Sequence, residues 1–85
     1  MLCFVYRSNR RDQTYVYLAR KHDFEALPDD LRERVEPLEL VLEVDLHPER
    51  KLAMEDPAAV IRNLGAQGWH LQLPRHERSL LQAVP

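Results

Sequence analysis

Apolar and polar positions along this chain change their period several times, and each change predicts an element. Residues 2–7 are apolar and rich in aromatic and β-branched side chains, which favours a strand over so short a helix. Residues 8–12 are polar and turn-forming, and strand character resumes over 14–19, so the two runs predict a β-hairpin with a long loop. Alternation places Tyr15 and Tyr17 on one face of the second strand and Thr14, Val16 and Leu18 on the other. From Asp23 the spacing turns helical. Phe24, Leu27, Leu31 and Val35 form one stripe, and Pro28 suits a first helical position with Asp29 and Asp30 in the first turn. The pattern predicts a turn at 23–27 and a helix over 28–35, stopped before Pro37.

Residues 38–46 alternate most regularly. Leu38, Leu40, Leu42, Val44 and Leu46 predict one aliphatic face, and Glu39, Glu43 and Asp45 make the opposite face largely acidic. The expected core layer is Leu40, Leu42 and Val44 against Val16, Leu18, Ile61 and Leu64. After a turn at 47–49, residues 51–54 read as a short returning strand. Asp56 as N-cap and Pro57 at the first position open a helix whose buried stripe is Val60, Ile61 and Leu64, with Gly68 as its left-handed C-cap. Residues 69–73 alternate as a strand ended by Pro74, and Leu80, Leu81 and Val84 make a last helical stripe. The order β-β-α-β-(β)-α-β-α predicts an α+β or layered α/β/α sandwich, with one small sheet of about four strands covered by helices.

Eighty-five residues make room for a single core, so 1–85 is expected to be one domain with a thin stability margin. A hydrophobic share of 45% and a charged share of 31% fit a soluble globule and exclude a disordered chain. No apolar run approaches the ~18 residues of a membrane span. Cys3 is the only cysteine, which excludes a disulfide scaffold. With no secretory leader in view, the expected location is cytoplasmic, where a lone thiol stays reduced. The net charge of −2 conceals a segregation: residues 1–21 carry net +4, residues 22–49 net −8 and residues 50–85 net +2. That block pattern predicts a basic edge and an acidic face.

Enzyme templates find no match. There is no phosphate-binding glycine loop, and His22, His47, His70 and His76 are scattered without zinc spacing. Cys3 lies among apolar neighbours and is expected to be an inert buried thiol. No catalytic, cofactor-binding or metal-binding residue is therefore assigned. The stretch with the most chemistry is the hairpin, where Arg7, Arg10 and Arg11 offer anion-pairing forks beside Tyr6, Tyr15 and Tyr17. Such a surface suits phosphate, single-stranded RNA or an acidic protein face. The plain alternative is an exposed hairpin whose charges meet one another and solvent.

The segments YRSNRRDQTYVY and KLAMEDPAAVIRNLGAQGW, followed by LQLP, resemble the YcgL-domain family of small bacterial proteins, over residues 1 to about 82. The resemblance implies a small α/β/α sandwich from a Gram-negative bacterium, with no established biochemical activity. In some genomes members lie beside a ribonuclease of the D type. Carried over by position, the family pattern points to Tyr6, Arg7, Ser8, Arg11, Asp12, Gln13, Thr14, Tyr15 and Tyr17, and to Lys51, Leu52, Gly68, Leu71, Gln72, Leu73 and Pro74. The strand at 38–46 is more acidic here than the family pattern implies.

Three readings follow. The first is a non-enzymatic binding or adaptor module whose contact surface is Tyr6, Arg7, Ser8, Arg10, Arg11, Asp12, Gln13, Tyr15, Tyr17, Lys51 and Gln72. The second is an RNA-associated accessory protein linked to ribonuclease function, against which stands the acidic balance of the chain. The third is an unrecognised small enzyme using Asp12, Gln72 or His70. A protein partner is favoured over RNA because an acidic strand face would repel a polyanion crossing the sheet. No cofactor, metal or membrane is expected.

Overall fold

The computed structural model describes residues 1–50, 52 and 55–74. Lys51, Ala53 and Met54 of the expected returning strand, and the expected last helix at Leu80, Leu81 and Val84, lie outside the described residues. Strands β1 (Leu2–Ser8) and β2 (Tyr15–Leu18) form the predicted hairpin, with Tyr6 opposite Val16 and Arg7 opposite Tyr15. A single 3-10 turn at Phe24–Ala26 leads into helix α1 (Asp29–Val35), with Pro28 at the N-cap, one residue outside its expected place. Strand β3 (Leu38–Asp45) returns beside β1, and helix α2 (Pro57–Gln67) leads into β4 (Trp69–Gln72), which pairs with β2. The sheet order is β3-β1-β2-β4, antiparallel throughout.

The ends of α2 follow the sequence signals. The Asp56 carboxylate accepts from Ala58 N at 3.1 Å, satisfying one of the helix's first amides. Gly68 takes φ 87°, a left-handed conformation, and donates its N–H to Leu64 O at 3.0 Å.

Apolar side chains leave the sheet on both faces. Cys3, Val5, Tyr17, Val44 and Leu46 pack with Val60 and Leu64 of α2 on one face. Tyr6, Val16 and Leu18 pack with Leu27 and with Val35 of α1 on the other, joined by Phe4, Phe24, Leu31, Leu38, Leu40, Trp69 and Leu71. Helices thus cover opposite faces of one sheet, and the fold is a small α/β/α sandwich.

Strand β3 departs from the expected pattern. Val5 stands opposite Leu42, yet the next residue, Tyr6, stands opposite Leu40, which leaves Val41 unmatched in a β-bulge. One extra residue reverses every side chain beyond it, because the side-chain period of a strand is two. Leu38 and Leu40 therefore face α1, whereas Val44 and Leu46 face α2. The expected single layer of Leu40, Leu42 and Val44 with Val16, Leu18, Ile61 and Leu64 is divided between two cores, and Leu42 is 53% exposed. The physical reason is that the first half of the strand follows α1 directly and must cover it, while the second half lies under α2. The acidic face divides in the same way. Glu39 lies opposite Arg7 on the α2 side, and Glu43 and Asp45 lie opposite Phe4 and Leu2 on the α1 side.

Candidate binding surface

Local chemistry shapes the β1–β2 loop before any ligand is considered. The buried Ser8 hydroxyl donates to Val35 O at 2.6 Å and accepts from Arg10 N and Arg11 N at 3.2 and 3.0 Å. A short hydroxyl side chain can bond backbone groups two and three residues on, which is why serine suits the start of such a turn. Gln13 takes φ 54°, and the Thr14 hydroxyl donates to Asp12 O at 3.1 Å, before Ser8 N closes the loop on Thr14 O at 2.9 Å. Asn9 N donates to Pro37 O at 2.9 Å, and Arg10 Nε donates to Glu36 O at 3.0 Å. The loop is lashed to the α1–β3 connection.

The three arginines do not converge. Arg7 projects on the α2 side of the sheet, where its Nη2 donates to both oxygens of Glu39 at 3.2 and 3.4 Å. Arg10 serves the backbone of the α1–β3 turn. Arg11 reaches the opposite side, where it lines a hollow of about 170 Å³ with Leu31, Arg34, Val35, Leu71 and Leu73. Asp12 and Gln13 are exposed at the tip.

Among the tyrosines, only Tyr15 is accessible. Tyr6 is 1% exposed, its hydroxyl accepting from His22 N at 2.7 Å and its ring edge-on to Phe24 at 5.1 Å. Tyr17 is buried, and its hydroxyl donates to Gln72 Oε1 at 2.8 Å. Tyr6 and Ser8 are therefore interior and hold the hairpin in place; they do not form part of the expected contact surface. Their strand positions alternate onto the α1 side, which α1 and the 3-10 turn cover. Lys51 lies outside the described residues.

Tyr15, Tyr17 and Gln72 share the α2 side of the sheet because Tyr15 stands opposite Gln72 and Tyr17 opposite His70. Beside them Val5, Val41, Leu42 and Leu52 complete an open, mainly apolar groove of about 360 Å³. Periodicity places Val5 with the tyrosines and Leu42 opposite Val5; Val41 reaches the groove through the bulge.

A second cluster escaped the sequence reading. His70 Nε2 faces Glu55 Oε1 at 3.2 Å, and His70 Nδ1 lies 2.9 Å from Asn63 Nδ2. Asn63 and Glu55 thus flank the two ring nitrogens of His70. Tyr17 packs edge-on against the ring at 5.6 Å. Both imidazole nitrogens face protein groups, so the cluster fastens α2 to β4 and presents no base to the groove. Cys3 is 0% exposed, and burial pushes its thiol up to about 11, against the lowering pull of the N-terminal ammonium and Arg50. Among the described residues no group of three or more His, Cys, Asp or Glu is placed to hold a metal ion, and no helix is long and apolar enough to cross a membrane.

Residues 3–75 match the YcgL domain. A YcgL domain-containing protein of Thioalkalivibrio sulfidiphilus is 48% identical over 81 residues, covering 94% of this chain and 100% of the relative. Relatives of the same description from Xanthomonas oryzae and Xanthomonas euvesicatoria are each 47% identical over 75 residues, covering 88% of this chain and 87% of theirs. With the matched region spanning nearly all of the described hairpin, helices and strands, the chain belongs to the YcgL-domain family of small bacterial proteins.

Proposed function

We propose that this domain is a non-enzymatic binding or adaptor module of the bacterial cytoplasm. Its partner is a protein that presents an apolar side chain beside a carboxylate. The observation that carries this reading is the apolar groove of Val5, Tyr15, Tyr17, Val41, Leu42, Leu52 and Gln72 next to a loop rich in arginine. An accessible aromatic on a concave, apolar floor is the usual anchor of a protein contact. Of the hairpin's arginines, Arg7 lies on the groove's side of the sheet and contributes charge of the complementary sign.

Geometry also weighs against a polyanion. A nucleic-acid strand needs several cations along one track, whereas Arg7 lies on the α2 side of the sheet, Arg10 turns to the α1–β3 connection and Arg11 reaches the opposite side. The acidic residues of β3 are divided between the two faces of the sheet, so it is the dispersal of the arginines that disfavours a polyanion.

The test compares two labelled probes by fluorescence anisotropy at low and moderate salt. One is a short acidic peptide with leucine anchors, the other a single-stranded RNA. The peptide should bind, Tyr15→Ala should weaken it by about tenfold, and salt should weaken it far less than the several-contact slope of a polyanion. RNA binding that disappears in an Arg10→Ala/Arg11→Ala variant, with no binding of the peptide, would replace this reading by the RNA-associated one.

A further inference from the structure

The groove does not account for the outer edge of β3. This strand is eight residues long and lies at the end of the sheet, and among the described residues it pairs with β1 alone. A strand in that position offers unpaired backbone N–H and C=O groups to any other extended segment. Met1, Leu2, Val41 and Leu42 are 46%, 53%, 42% and 53% exposed, and all four belong to β3 or to the start of the strand beside it. The exposed apolar side chains therefore flank one edge. By plain alternation Leu42 lies on the α2 side of the edge strand and Glu43 and Asp45 on the α1 side, so this end of the edge is apolar on one face and acidic on the other.

Charge decides what fits there. Glu39, Glu43 and Asp45 are exposed along the strand, within a segment 22–49 of net charge −8. Their partners within the chain are single, exposed pairs: Arg7 for Glu39, Lys21 for Glu43 at 3.5 Å and the N-terminal ammonium for Asp45 at 3.2 Å. Such pairs hold weakly in water and leave the carboxylates open to exchange. A second copy of β3 laid antiparallel would bring a second row of the same carboxylates against the first, and like charges across strands are destabilising. An extended segment with lysine or arginine between apolar residues would meet opposite charge and apolar area together.

We propose that the outer edge of β3 accepts a basic, extended segment of a partner protein as an additional strand. Backbone hydrogen bonds give the contact its direction. Glu43 and Asp45 meet the basic side chains of the added strand on the α1 face, and Leu42 receives its alternate apolar side chains on the α2 face. Leu42 borders the groove as well, but the preferred charge is opposite. The basic peptide therefore tests this edge and the acidic peptide tests the groove, and failure of one does not decide the other.

A short, end-capped peptide alternating lysine and valine is the probe, with its glutamate–valine counterpart as control. Titration into the full chain should shift the backbone amide resonances of Leu38–Asp45 and slow hydrogen exchange at alternate β3 amides; the control should do neither. Glu43→Lys/Asp45→Lys should weaken binding by about tenfold or more. Glu43→Gln/Asp45→Asn, a milder change at exposed positions, should weaken it less and leave the melting curve in place. Shifts centred on α1, where Asp29, Asp30 and Glu33 lie, would mean nonspecific attraction and overturn the proposal. So would equal binding of both peptides, absence of binding, or self-association of the chain through β3.

Discussion

Truncating two leucines four residues apart in the chain should have very different effects. Leu46 is 1% exposed and packs among Cys3, Val44, Val60 and Leu64. Leu46→Ala removes its packed methyl groups and leaves a cavity that the β-sheet and α2 cannot fully close, at a cost of about 2–5 kcal/mol. A domain of this size has only about 4–13 kcal/mol in all, by the usual margin per residue. At roughly 4–8 °C per kcal/mol, the midpoint should fall by about 10 °C or more. Leu42 is 53% exposed beside the bulge and lines an open groove, so Leu42→Ala encloses no cavity. It forfeits only the buried half of the side chain, under about 1 kcal/mol at ~25 cal/mol per Å². Urea denaturation of both variants beside the parent protein, with equal m-values, gives the comparison directly. Equal destabilisation would mean that Leu42 is interior, and its exposed place at the groove would have to be abandoned.

Two further outcomes follow from buried polar atoms. The thiol of Cys3 titrates near 9.0 when unfolded and at about 11 when folded, so the folded state holds its proton more tightly; its contribution is complete below pH 9 and is lost progressively as pH rises toward 11, which denaturation curves across that range should record, together with slow labelling by a thiol reagent in the native state. Ser8→Ala leaves Val35 O, Arg10 N and Arg11 N without their shared hydroxyl; it should cost about 1–3 kcal/mol in thermal stability, and a variant as stable as the parent would show that water replaces the hydroxyl without loss.

Elements with local signals were legible in the sequence. Asp56, Pro57 and Gly68 bound α2 because caps act over three or four residues, and the opposed faces of Tyr15 and Val16 follow from strand geometry alone. The layered sandwich was legible for the same reason, since two helical stripes need two faces to cover. The bulge was not. Five aliphatic residues at every second position read as one face, and only the placement of α1 and α2 on opposite sides of the sheet tells which half of β3 each must bury. The binding surface was legible as a stretch of residues and obscure as a geometry. Arg7 finds Glu39, and His70 finds Glu55 and Asn63, through pairings between distant strands and helices that no local spacing records. Tyr6 and Tyr15 look equivalent as aromatic residues of one hairpin, yet the strand alternation and the cover of α1 bury the first and leave the second accessible.

The Ser8 hydroxyl, with Asn9 N on Pro37 O and Arg10 Nε on Glu36 O, has a kinetic consequence for any partner of the hairpin. A loop left to sample many conformations must be ordered at the moment of encounter, and that entropy is subtracted from affinity. Here the backbone of the loop is ordered when the chain folds, so association selects no rare conformer and waits for no closing step. Loosening the tether while leaving Tyr15 and Arg7 untouched would slow capture more than it would hasten release, and the hairpin would lose its grip through the on-rate.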